Sequence, residues 1–174
     1  MTSNKKARLS ARELTELSAM GALMFALKLA VAALPNIHPV AMLVILTALH
    51  FSWRSLYAVA IYVLLEGLLF GFSLWWVSYL YAWPLLAMLT ILLRRGGGRL
   101  FWACLAGGFG LCFGALCAIP YLFIGGASMA FSYWISGIPF DLLHCGGNFA
   151  VTFALLPTMQ RVLERVAPRE RKSA

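Results

Sequence analysis

Basic residues are confined to a few places along this chain. Of its 14 Lys and Arg residues, all but Lys28 fall in four places: Lys5, Lys6, Arg8 and Arg12; Arg54; Arg94, Arg95 and Arg99; and Arg161, Arg165, Arg169, Arg171 and Lys172. Long apolar stretches separate these groups, and the three intervening connections, around Asn36, Ser73 and Gly125, hold no Lys or Arg. In membrane proteins such residues collect on the cytoplasmic side. If all four groups lie there, the chain must cross twice between successive groups, which predicts a compact bundle of six transmembrane helices with both termini cytoplasmic.

Composition points the same way. The chain is 62% hydrophobic and 11% charged, outside the range of soluble domains, so it reads as an all-α, multi-pass integral protein of the cell membrane. Its net charge of +8 forms no continuous basic stripe, which argues against a nucleic-acid partner. Cys104, Cys112, Cys117 and Cys145 lie in apolar segments without a CxxC pair or a metal-ligand pattern, and read as reduced small hydrophobes. No metal or bound cofactor is expected in this chain.

The expected organisation is a cytoplasmic tail over 1–13, a transmembrane domain over 14–160 and a second cytoplasmic tail over 161–174. The first span, about 14–34, is stopped by Pro35 and is retained rather than cleaved as a signal peptide. Along it Ser18, Ala22, Ala26 and Ala30 form a ridge of small side chains, suited to close approach by another helix, while Lys28 points elsewhere. Further spans are expected at about 40–53, 56–70, 74–93, 100–124 and 138–156, with 125–137 an outer connection, either a short interfacial helix or a lid.

Polar side chains inside these apolar segments are the candidate site. Asp141, His144 and Asn148 follow i, i+3, i+7 and share one helical face. Trp76, Tyr79 and Trp83 follow the same spacing, although an interfacial aromatic belt would look similar. Glu66 sits on the third span with Tyr62 one turn earlier. Counting from the nearest basic residue at about 1.5 Å per residue puts Lys28 at roughly 24 Å, Glu66 at roughly 18 Å, Trp83 at roughly 17 Å and Asn148 at roughly 20 Å. These residues share a level, with Asp141 and His144 nearer the outer mouth. Lys28 needs a counter-charge, and both Glu66 and Asp141 qualify. His38 and His50 are weaker candidates.

Paired acids and a histidine can perform acid–base chemistry, but there is no nucleophile elbow, H-E-x-x-H or G-x-x-x-x-G-K motif. An aromatic wall with a few polar groups fits a binding site better than an enzyme. Its chemistry suits a small flat heterocycle.

With these residues on the page, the chain resembles the substrate-binding S components of energy-coupling factor (ECF) vitamin transporters. The likeness rests on six spans in 174 residues, the Ala22, Ala26, Ala30 repeat similar to the family's A-x-x-x-A docking motif, the turn from Pro35 to Val40, and the stretch from Gly137 through Asp141 to Asn148. The resemblance implies capture of a vitamin-like molecule from outside and docking, through the alanine ridge, on a transmembrane coupling subunit driven by two cytoplasmic ATPases that use the ATP. A non-transporting membrane scaffold and a small intramembrane enzyme are the competing readings.

Overall fold

The computed structural model describes residues 9–33 and 37–168. Lys5, Lys6, Arg8, Pro35, Asn36, Arg169, Arg171 and Lys172, used above to orient and delimit the spans, lie outside the described residues. Among the described residues all regular structure is helical: α1 (Ala11–Ala30), α2 (Val40–Phe51), α3 (Ser55–Phe70), α4 (Leu74–Leu92) and α5 (Arg99–Val166), with a 3-10 turn at Ser52–Arg54.

The helix starts follow local chemistry. Ser10 caps α1 by accepting from the Glu13 N–H at 3.2 Å, while the Glu13 carboxylate accepts from the Ser10 N–H at 3.1 Å, a reciprocal capping box. The α3 helix stops at Gly71, whose φ of 90° is unfavourable for a residue with a Cβ. Ser52, at φ 53°, separates α2 from α3.

Side-chain contacts give the direction of each helix. Glu13 pairs with Arg54, Gly21 abuts Ala58, and Lys28 pairs with Glu66, so α1 and α3 run parallel. The intervening α2 therefore returns the chain in the opposite direction, and its residues Val40 to Ala48 are buried without exception. It is the core helix of the bundle. The α4 helix runs against α3, with the Trp76 indole N–H donating to the Val63 carbonyl at 2.8 Å.

The last helix differs from expectation. In place of a loop at 125–137 followed by a separate sixth helix, α5 contains one non-helical residue, Gly126, at φ 72° and ψ −172°. There the chain folds back, and 99–125 and 127–166 pack as antiparallel arms. Gly114 lies on Asp141, Gly110 on the His144 backbone at 2.7 Å, and Gly107 on the Cys145 carbonyl at 3.3 Å. A Cβ at Gly110 would collide, so glycine sets how closely the arms approach.

Three helical stretches, Val40–Phe70, Leu74–Leu92 and Arg99–Val166, are long and apolar enough to cross a membrane, which is compatible with a membrane protein. The first contains the Ser52 break and the last the Gly126 reversal. The α1 helix is not among them; it carries Arg12, Glu13, Glu16 and Lys28. Its Ala22, Ala26 and Ala30 are exposed, whereas Leu17, Met20, Gly21 and Met24 are buried.

Candidate functional site

Lys28, in the last turn of α1, reaches across to α3. Its Nζ lies 2.5 Å from Glu66 Oε2 and 3.3 Å from the Tyr79 hydroxyl, and stands 5.1 Å from the Tyr79 ring centre. Of the two counter-charges the sequence offered, Glu66 is the partner. Glu66 is completely buried, and its other oxygen, Oε1, has no hydrogen-bond partner.

Trp83 is the hub of the aromatic cluster. It is fully buried, and its ring centre lies 5.7 Å from Tyr62, 5.7 Å from Tyr79, 5.5 Å from both Phe109 and Phe113, and 6.2 Å from His38. It thus touches α3, its own helix, the first arm of α5 and the connection between α1 and α2. The Trp83 indole N–H has no acceptor.

The second arm of α5 completes the cluster. Asp141, His144 and Asn148 are all buried, as the i, i+3, i+7 spacing predicts. Asp141 Oδ1 accepts from the Gly114 N–H at 2.8 Å, and Asn148 Nδ2 donates to the Ala106 carbonyl at 3.3 Å. His144 lies 4.9 Å from Phe113 and 5.2 Å from His38, ring centre to ring centre. His144 is therefore the residue of this face nearest the level of Trp83, one turn outward from Asn148.

Two departures from the expected site stand out. Trp76 is set apart from the cluster: its ring stands 4.8 Å from Phe72 and lines an apolar groove of about 350 Å³ on the outer α3–α4 seam, with Val59, Ala60, Val63, Leu80 and Pro84. Its N–H takes the Val63 carbonyl, which holds the indole along that seam. Conversely, His38, which sequence places in an outer loop, is buried against Trp83 and His144. The preceding Ile37 packs on Gly147, where a Cβ would lie 3.1 Å from Ile37 Cγ1, so the connection dips into the bundle. The short α2 follows from this dip, because part of its side of the bundle is supplied by residues 37–39.

Burial, with the nearby His144 and Lys28 adding to it, pushes the His38 imidazole down to about 3, so it is neutral at physiological pH. Tyr62, Phe109 and Phe113 also belong to the site. The Phe pair could have been found from its i, i+4 spacing on the glycine-rich segment, which puts both rings on one face.

The arrangement leaves several buried polar atoms without a partner: Glu66 Oε1, Asp141 Oδ2, Asn148 Oδ1, His38 Nδ1, His144 Nε2, Tyr62 Oη and Trp83 Nε1. An unpaired buried polar group costs about 1–3 kcal/mol, so a cluster of them is poor as pure scaffolding and suited to a polar ligand. Among the described residues no group of His, Cys, Asp and Glu is arranged to hold a metal ion. No protein-family model, no curated protein and no solved structure matches the chain.

Proposed function

We propose that this protein is the membrane-embedded substrate-capture subunit of an ECF-type importer, binding a small vitamin-like molecule without converting it. The observation that carries this reading is the buried cluster around Trp83, in which aromatic faces and unpartnered polar atoms from α3, α4, both arms of α5 and residue 38 converge. Aromatic area supplies affinity and a few polar groups supply orientation, which is the composition of a small-molecule site.

In this proposal the protein crosses the cell membrane six times, with α2 and α3 as separate crossings, the arms of α5 as two more, and both termini cytoplasmic. The basic groups at Arg54 and at Arg94, Arg95 and Arg99 then share one side with the termini. The exposed Ala22, Ala26 and Ala30 ridge would dock on a transmembrane coupling subunit served by two ATPases. Its exposure, opposite the buried Met20 and Met24, supports that assignment.

The test has two arms. Titrating the purified protein against a vitamin panel, read by tryptophan fluorescence and thermal shift, should reveal one saturable ligand. Co-purification with a coupling subunit and its ATPases should be lost in Ala26→Leu while ligand binding persists. Retention of the complex by Ala26→Leu would remove the ridge from the interface.

A further inference from the structure

The unpartnered atoms of the cluster are unequal in kind, and that inequality bears on what the ligand carries. Three side chains each spend one end on the protein and present the other. Glu66 gives Oε2 to Lys28 and leaves Oε1; Asp141 gives Oδ1 to the Gly114 N–H and leaves Oδ2; Asn148 donates through Nδ2 to the Ala106 carbonyl and leaves Oδ1. The Asn148 bond also fixes its amide orientation, because a carbonyl can only face the nitrogen. The free ends are therefore three oxygen acceptors, against one side chain that can only donate, Trp83 Nε1. The imidazoles of His38 and His144 and the Tyr62 hydroxyl can serve in either sense.

Charge points in the same direction. Lys28 is committed to Glu66, and among the described residues Asp141, only 5% exposed, has no cationic partner. A buried carboxylate calls for a counter-charge, and here the protein does not provide one. Rings of Tyr79, Trp83, Phe109 and Phe113 stand beside these oxygens, and such faces attract cations.

Resting on the capture reading above, we infer that the ligand is a small ring compound bearing an amino, amidino or ammonium group and no carboxylate, its N–H donors directed at Glu66, Asp141 and Asn148. A carboxylate ligand would meet three acceptor oxygens with one fixed donor. An amine-bearing ring pairs with all three and supplies the charge that Asp141 lacks.

The test uses three pyridines that differ only in the substituent: 3-(aminomethyl)pyridine, pyridine-3-carboxamide and pyridine-3-carboxylate. Each is titrated calorimetrically into the full-length protein in lipid nanodiscs. The amine should bind about tenfold or more tighter than the carboxylate, the size expected for one charge-assisted hydrogen bond. Asp141→Asn and Glu66→Gln, checked by melting for a retained fold, should each shrink that preference. Equal or tighter binding of the carboxylate to the native protein overturns the amine assignment and leaves small-solute capture standing. A preference that survives in both variants overturns the role given to these oxygens. Absence of binding by all three up to their solubility limits, together with no ligand from the vitamin panel, overturns the capture reading itself.

Discussion

Lys28 and Glu66 form an ion pair of 2.5 Å in which the carboxylate is wholly buried while the ammonium is 21% exposed. The asymmetry decides what each deletion does. Removing the lysine strands a buried charge, whereas removing the carboxylate leaves an ammonium that still reaches the surface and the Tyr79 hydroxyl. Lys28→Met should destabilise the protein by about 3 kcal/mol, Glu66→Gln by less, and the double variant Lys28→Met/Glu66→Leu should recover most of the loss. Thermal unfolding in detergent gives the cycle, and simple additivity would show that the pair is not coupled.

Close contact between the arms of α5 gives a second prediction. A Cβ at Gly114 would fall on the Asp141 carboxylate, whereas at Gly108 there is open space. Gly114→Ala should therefore cost about 1–3 kcal/mol by overpacking and displace Asp141, while Gly108→Ala should be neutral or slightly stabilising through helix propensity. Melting temperatures of the two variants, measured side by side, make the comparison.

The dip of residues 37–39 into the bundle depends on Gly147. Gly147→Leu should push Ile37 outward and carry His38 away from Trp83. His38, protected in the native protein, should then react with diethyl pyrocarbonate. Mass spectrometry of the modified peptide distinguishes it from His50 and His144; an unreactive His38 in this variant would mean that the connection is held by something other than the glycine.

Acid should weaken the same region. His38 is held at about 3, below its ordinary 6.5, by burial and by the neighbouring His144 and Lys28. The unfolded chain therefore binds one more proton than the native one between those values, and stability rises with pH across that window. As pH falls from 6.5 toward 3, the contribution of the neutral imidazole is lost, at no more than about 1.4 kcal/mol per pH unit for one group. Unfolding profiles of the native protein and His38→Gln should diverge below pH 6.5 and coincide above it.

Much of this was legible in the sequence because bilayers penalise polar residues. Lys28, Glu66, Asp141, His144 and Asn148 stood out against apolar neighbours, and the depth count put Lys28 and Glu66 at one level, where they pair. Helical spacing put Asp141, His144 and Asn148 on one face, where they are buried. Other features were not legible, for physical reasons. In uniformly apolar helices, periodicity does not separate the face toward the core from the outer one, so Trp76 and Trp83 looked equivalent although one lines an outer seam and the other is the hub. His38 reaches the interior through a contact with Gly147, distant in sequence, that no local pattern announces. The turn at Gly126 takes a single residue, and the expected loop at 125–137 is otherwise helical.

That single-residue turn also bears on how the protein assembles. Asp141 meets Gly114, His144 meets Gly110, Asn148 meets Ala106, and the Arg99 guanidinium lies 4.3 Å from the Phe153 ring, so each pairing straddles nearly the same point of the chain. Every contact formed near the tip shortens the loop that the next one must close, so the hairpin can zip from Gly126 outward without help from α1 to α4. Asp141, His144, Asn148, Phe109 and Phe113 would then stand as a finished half-site before Trp83 arrives, and joining the two halves would be the last event in building the pocket.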